Sequence, residues 1–431
     1  MSSSVGGPRD LGRRAAHSAR VLEVDTPREI AWEIVRTESE PEGVGIMTRK
    51  GRVYPIRIEH VPLKAASILK QEALAIGADS AHARGIADLS VSESGVVLLA
   101  TLGQYRRLLP KLARQPFHLK EISQSVDRAL SAYTRETART IAGVHRPFTV
   151  GPRTLVMGVV NVTPDSFSDG GRLGDPAAAV DYALALEKEG ADLLDVGGES
   201  TRPGATAVDP ETEWARVGPV LAQLHATVRV PISIDTRNAS VARRAIEAGA
   251  DLVNDVSGLR DPTMREVVAE TSAPAIVLHM RGDPTTMQRD LHYGDLRGEV
   301  FQSLAAATDR AVAEGIDPER LLIDPGLGFG KSAEQNLELA AHLGEFRSMG
   351  YPVVVGASRK SFVGAAMGDA AVDDRLEGGL ALAVLAALHR VAIVRTHDVR
   401  PTARALKVVE AVRSARRASA EEAAERSEEP A

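Results

Sequence analysis

Residues Val230–Gly258 read VPISIDTRNASVARRAIEAGADLVNDVSG. Two apolar runs, 230–234 and 251–254, have strand length, and each leads into polar groups: Asp235-Thr236-Arg237 after the first, Asn254-Asp255 and Ser257-Gly258 at the end of the second. Between them Ala239–Ala248 carries helical spacing, so the stretch predicts one strand–helix–strand unit of a parallel sheet. The same beat recurs from Thr154 onward. Strands are predicted at 154–160, 192–196, 230–234, 251–254, 274–278, 320–323, 352–355 and 391–395, with helix-length segments between them such as Pro176–Glu189, Glu211–Thr227 and Thr308–Glu314. Eight such units in roughly 260 residues match a closed (β/α)8 TIM barrel. A doubly wound open sheet has the same periodicity and is the structural rival.

The chain around this repeat has 431 residues, 44% hydrophobic and 26% charged, enough apolar material for a globular core. No uninterrupted apolar run of about 18 residues occurs and the N-terminus is polar and basic, so a soluble, cytoplasmic protein without a membrane span is expected. Cysteine is absent, which excludes disulfides, thiolate nucleophiles and Cys-ligated metals and leaves catalysis to oxygen, nitrogen or a metal held by them. Aromatic residues make up only 3%, too few for the stacking platforms of a nucleic-acid binder. Residues 1–150 hold 22 basic and 16 acidic side chains and residues 151–431 hold 30 and 42. The halves therefore carry +6 and −12, and with the length this predicts two domains.

Residues 1–19 have the composition of a solvated, disordered tail, and residues 414–431 that of a charged tail whose Glu-rich end is also able to extend the last helix. The segment 20–145 reads as a small α+β domain. Thr26-Pro27-Arg28-Glu29 is a capping-box helix start. Gly45–Thr48 and Val53–Ile58 flank Lys50-Gly51 as a hairpin would. A helix is predicted over 63–76, a strand over 96–100, and helices over 105–112 and 122–141. Arg106, Arg107, Lys111 and Arg114 read as a solvated helix face.

The functional signal lies just beyond each barrel strand, because the loops at the C-terminal ends of TIM-barrel strands build the active site. These positions are Asn161–Gly171 (NVTPDSFSDGG), Gly197–Gly204 (GGESTRPG), Asp235-Thr236-Arg237, Asn254–Gly258 (NDVSG), His279-Met280, Asp324–Lys331 (DPGLGFGK), Ser358–Ser361 (SRKS) and Arg395–Asp398 (RTHD). Asp235, Asn254 and Asp324 supply acceptors and one amide donor, which suits a flat heterocycle with neighbouring N–H groups. Arg202, Lys360, Arg395 and His397 supply the positive charge that a phosphate or carboxylate needs. Ser361 opens a helix whose N-terminus favours an anion. Gly326, Gly328 and Gly330 serve either as turn glycines or to let backbone approach a ligand. Asp398 reads as a helix N-cap, Asp192, Asp195 and Asp251 as strand-edge acids with structural partners, and His225 and His342 as surface groups. His279 fits a core histidine and a ligand contact equally. For Asp235, Asn254, Asp324 and Lys360 the functional reading prevails, since four separate strand ends would otherwise bear costly polar groups without purpose.

These residues resemble the dihydropteroate synthases: seven motifs, at 161–171, 197–204, 233–236, 254–258, 324–331, 358–362 and 395–398, stand in family order across 150–413, and none falls in the first domain. The resemblance implies a barrel that joins 6-hydroxymethyl-7,8-dihydropterin diphosphate to 4-aminobenzoate, releasing diphosphate and 7,8-dihydropteroate for folate biosynthesis. It implies that Asp235, Asn254, Asp324 and Lys360 bind the pterin beside Phe329, and that Arg395 and His397 hold the diphosphate. Asn161 would be the one protein ligand of Mg²⁺. Phe167, Asp169, Thr201, Arg202 and Pro203 would order around diphosphate and aminobenzoate, with Ser361 facing the aminobenzoate carboxylate. Lys360, Arg395, His397, Asp169 and Arg202 form the implied catalytic set. A dissociative transfer without a protein nucleophile and a homodimer through barrel helices complete the implied picture. One departure is Leu278, where the family commonly has Met; Leu can still cover the pterin face. A pterin-dependent methyltransferase shares the Asp/Asn floor but does not need the Ser358–Ser361 and Arg395/His397 anion groups. A catalytically silent pterin-binding scaffold is the non-enzymatic alternative.

Overall fold

A computed structural model describes residues 19–151, 153–163, 175–200 and 207–428, with side chains through Ala415. The chain divides into two compact units, one drawn mainly from residues up to Leu108 and the other from Leu109–Ala415. The second unit thus takes in 109–145, which the sequence pattern groups with the first domain.

The first unit contains α1 (Pro27–Val35), α2 (Pro41–Thr48), β1 (Val53–Pro62), α3 (Leu63–Ala75), β2 (Asp79–His82), β3 (Glu93–Thr101) and the start of α4 (Leu102–Leu112), with the sheet ordered β1-β3-β2. Thr26 Oγ1 accepts from the Glu29 amide at 3.1 Å and the Glu29 carboxylate accepts from the Thr26 amide at 3.1 Å, so the capping box starts α1. The expected hairpin does not form, because Gly45–Thr48 belongs to α2. Pro41 at the first helical position and Glu42 in the first turn favour a helix start, and extended backbone begins only at Val53. Alternate residues of β3 (Ser94, Val96, Leu98, Ala100) are buried, and the buried Tyr105 hydroxyl donates to the Tyr54 carbonyl at 2.7 Å.

The second unit carries eight parallel strands: β6 (Leu155–Asn161), β7 (Leu193–Gly197), β8 (Ile232–Asp235), β9 (Leu252–Asp255), β10 (Ala275–Leu278), β11 (Leu321–Asp324), β12 (Val354–Gly356) and β13 (Ile393–Thr396). They pair in chain order from β6 to β11, and β13 lies between β12 and β6. The ring closes where Ile323 bridges Val353 in parallel and donates to the Pro352 carbonyl at 3.0 Å. Sequential order round a ring is the TIM barrel and rules out the doubly wound sheet. Around the ring run α6 (Pro176–Glu189), α7 (Pro210–Thr227), α8 (Ala239–Glu247), α9 (Pro262–Thr271), α10 (Leu296–Ala313), α11 (Ala333–Ala341), α12 (Ser361–Ala366), α13 (Leu376–Leu388) and α14 (Val399–Glu428). Of the two readings of the charged end, the extended helix holds: α14 continues as far as Glu428.

The strands obey the period of two. Val156, Leu194, Ile234, Val253, Val277, Ile323, Val355 and Val394 pack outward with the helices. Leu155, Met157, Leu193, Leu252, Ile276, Leu322, Val354 and Ile393 fill the lower barrel together with Ile141, Phe148 and Val150. Those three come from an antiparallel hairpin, β4 (Arg139–Ile141) with β5 (Phe148–Val150), which follows α5 (Leu119–Thr134). The helix expected over 122–141 therefore stops at Thr134, and Ile141 is drawn into the barrel floor instead. Asp251 anchors the hairpin turn: its carboxylate accepts from the His145 amide at 2.9 Å, the Arg146 amide at 2.6 Å and the Arg146 guanidinium at 3.0 Å. Asp192 pairs with Arg153 and accepts from the Val156 amide at 2.9 Å. Both acids are structural, in line with their sequence reading. Among the described residues no helix is long and apolar enough to cross a membrane.

Candidate active site

Above the apolar floor the inward positions change character. The same alternation that points Leu193, Leu252, Leu322 and Ile393 into the barrel points Asp195, Asn254, Asp324 and Arg395 inward two residues later, with Asp235 at the end of β8 beside them. Arg395 is the hub. Its Nε donates to Asp195 Oδ2 at 2.6 Å and its Nη2 to Asp235 Oδ2 at 2.8 Å, while Asn254 Nδ2 donates to the same Asp195 oxygen at 3.0 Å. Burial works against the Arg395 charge, but the carboxylates of Asp195 and Asp235 outweigh it and hold the guanidinium above its usual pKa. Burial pushes Asp235 up to about 7 in spite of Arg395. Burial also raises Asp324, against the pull of Lys360 and of the Gly326 amide, which donates to Asp324 Oδ1 at 2.7 Å.

Lys360 enters from the loop after β12. Its ammonium lies 4.3 Å from the centre of the Phe329 ring and donates to the Leu327 carbonyl, and burial lowers its pKa to about 8. The glycines of the β11 loop make this approach possible. Gly328 has φ +85° and a Cβ there would stand 2.6 Å from Lys360 Cδ; Gly326 has φ +72° and a Cβ would strike the His279 carbonyl. Both sequence readings of these glycines, turn and close approach, therefore hold at once. Phe329 packs with Val256, Leu278, Met280 and Met287 as an apolar wall, and Leu278 is part of that wall as its sequence position suggested. Among the described residues, Asp195 Oδ1, Asp235 Oδ1 and Ser233 Oγ are buried without a hydrogen-bond partner. Unmatched buried acceptors in a cleft walled by apolar groups suit a flat ligand that brings N–H donors.

The predicted residues fall into three groups. Asp235, Asn254, Asp324, Lys360, Phe329 and Arg395 line this mouth. His397, Ser361 and Asn161 stand at its rim. His397 and its amide meet Ser358 Oγ at 3.2 Å each, Ser361 is the exposed first residue of α12, and Asn161 ends β6 in register with Gly197. Phe167, Asp169, Thr201, Arg202 and Pro203 lie outside the described residues. Asp195 has structural partners as its sequence reading expects, Arg395 and Asn254, and it lies on the inward face two residues beyond Leu193. Asp398 directly precedes α14 and its carbonyl accepts from the Thr402 amide at 3.1 Å, as at a helix N-cap, while its carboxylate pairs with the Arg359 guanidinium at 2.7 Å and accepts from Ser358 at 3.4 Å. His279 is buried, and Lys331 stands beneath the loop with it.

Residues 157–397 match the pterin binding enzyme family. A dihydropteroate synthase of Synechocystis is 44% identical over 266 residues, 62% of this chain and 92% of its own length. The chain belongs to the dihydropteroate synthase family. The solved synthase of Yersinia pestis with a sulfonamide drug superposes with a TM-score of 0.61 at 42% identity, covering 63% of this chain and 98% of that one. That of Xanthomonas albilineans with 4-aminobenzoic acid gives 0.60 at 45%, covering 64% and 99%. A Halobacterium salinarum protein described as a probable bifunctional folylpolyglutamate synthase/dihydropteroate synthase is 39% identical over 397 residues, 91% of this chain, which spans only 47% of its length. The family match covers the barrel and its mouth, where the seven motifs lie.

Proposed function

We propose that the chain condenses 6-hydroxymethyl-7,8-dihydropterin diphosphate with 4-aminobenzoate to give 7,8-dihydropteroate and diphosphate. The observation that carries this is the convergence of Asp235, Asn254, Asp324, Lys360 and Arg395 in one barrel mouth, with unmatched buried acceptors between them. Asp324 and Asn254 meet the aminopyrimidine edge and Lys360 donates to the oxo group. The Phe329 wall covers the ring. Arg395 and His397 stabilise the charge that develops on diphosphate as it departs. The electron-rich pterin then carries the cation on its exocyclic methylene, and the arylamine attacks it without a protein nucleophile. Asp169 and Arg202, with Phe167, Thr201 and Pro203, complete this reading around diphosphate and aminobenzoate, and Ser361 offers the α12 N-terminus to the aminobenzoate carboxylate.

Mg²⁺ fits the donor set. Asn161 supplies a hard oxygen at the rim, and among the described residues no group of three or more His, Asp or Glu could cage an ion. An ion that keeps its water and arrives with diphosphate needs no cage. When bound it would neutralise diphosphate charge. A homodimer is supported by α13, LEGGLALAVLAAL, which is apolar apart from Glu377 in its first turn and leaves Leu388 59% exposed. Incubating the pure protein with pterin diphosphate, 4-aminobenzoate and Mg²⁺ is expected to yield dihydropteroate and diphosphate in equal amounts. Pterin binding without product over a range of pH and Mg²⁺ would favour the silent scaffold instead.

A further inference from the structure

Lys331 has no part in the proposed reaction, yet its surroundings are built. The side chain is 3% exposed at the end of the β11 loop. Its ammonium makes three hydrogen bonds, to the Gly326 carbonyl at 2.9 Å, the Phe329 carbonyl at 3.0 Å and His279 Nδ1 at 3.0 Å. Three donors thus meet three neutral acceptors. Burial, with Lys331 beside it, holds His279 well below its ordinary pKa, so the imidazole is neutral and offers Nδ1 as an acceptor. A buried ammonium without a contacting carboxylate is costly, and burial lowers Lys331 to about 7. Asp324 provides the opposing pull, whereas Lys360 and Arg281 repel.

The groups that this cation grips define its role. Gly326 and Phe329 bracket the loop whose middle residues define the Lys360 position. The Leu327 carbonyl accepts from Lys360, Gly328 makes room for its stem, and the Phe329 ring lies below its ammonium. The Gly326 amide holds Asp324, and Asn336 fixes the loop on its other side by accepting from the Gly328 amide at 2.6 Å. We propose that Lys331 is a positioning residue of the pterin pocket, pinning the 326–330 loop from beneath so that the loop sets Lys360. The inference rests on the proposed pterin site.

The test is a double-mutant cycle on the full chain, read first as equilibrium affinity for the pterin substrate in the absence of aminobenzoate. Lys331→Met keeps the stem and removes all three donors. It is expected to weaken pterin binding about tenfold or more with Lys360 present and less than about threefold in a Lys360→Ala background, because its effect passes through Lys360. In turnover, kcat/KM for the pterin falls by a similar factor while KM for aminobenzoate stays within about twofold. Should Lys331→Met fail to fold, Lys331→Gln, which keeps two donors, takes its place with the same expectation at reduced size. Equal losses in both backgrounds would reduce Lys331 to general structural support, and unchanged affinity would remove the role altogether. If the unmodified protein itself binds no pterin, the pocket reading fails, an outcome distinct from either result on Lys331.

Discussion

Replacing Arg395 with Met tests the charge arrangement at the centre of the site. The guanidinium compensates two carboxylates at once, 2.6 Å from Asp195 and 2.8 Å from Asp235. The acid side chains are 0% and 7% exposed, and Arg395 itself is 21% exposed, so water cannot take over its role. Breaking a buried pair by removing one partner costs roughly 3–5 kcal/mol, most of it from the charge left behind. Here two acids are left, each with a second oxygen that already lacks a partner. For Asp235 the cheapest response is to take up a proton. Asp235 already sits near 7 in the intact protein, and loss of Arg395 raises it further. A carboxyl whose folded pKa exceeds its unfolded value lends stability at low pH and loses it as pH rises through the folded value. The Arg395→Met penalty is therefore expected in full near pH 8 and at least halved at pH 5. Urea unfolding at the two pH values measures this, followed by Trp214 fluorescence in a Trp32→Phe background so that only the barrel reports; the chain has two tryptophans. A loss below about 1 kcal/mol at pH 8, the size of an exposed pair, would refute the reasoning, as would a penalty that ignores pH.

Three further outcomes are expected. With Asp235 needed as carboxylate and Lys360 as ammonium, kcat/KM for the pterin should rise through about pH 7 and fall through about pH 8; Lys360→Arg should keep the acid limb and lose the alkaline one, and a wild-type profile flat from 6 to 9 would contradict the assignment. Gly328→Ala, at φ +85° with its methyl 2.6 Å from Lys360 Cδ, should lower kcat/KM about tenfold or more and cost about 1–3 kcal/mol of stability, checked by steady-state kinetics and thermal unfolding. Truncation to 109–431 should retain turnover, whereas truncation to 146–431 should aggregate or lose it, because only the latter removes α5 and the β4 partner of the floor hairpin; light scattering and product formation distinguish the two, and an active 146–431 chain would overturn the role given to that hairpin.

How much of this is legible in the sequence depends on whether a signal is local. The eight barrel strands are, because each is a short apolar run whose polar end is written beside it, and Val230–Gly258 shows two of them with their helix. Asp235, Asn254, Asp324 and Lys360 stand out for the same reason. Asp195 does not, since it lies within a strand and its meaning comes from Arg395, 200 residues away. Lys331 is hidden differently: in sequence it only closes a glycine-rich motif, and the fold turns it under its own loop onto His279. The floor hairpin escapes because Arg139–Ile141 carries too few residues to break a helical pattern that begins at Ile122. Its strand conformation is set by an apolar slot lined by Leu155, Leu252 and Leu322, a tertiary demand that no window of local sequence contains. The hairpin expected at 45–58 makes the converse point. There the local helix-start signal of Pro41-Glu42 is present, but the alternation downstream of Lys50 pulls the reading toward strands. Periodicity therefore locates the reactive end of the barrel, where each strand states its own polar terminus, and fails at the closed end, where the stabilising contacts join residues more than 100 positions apart.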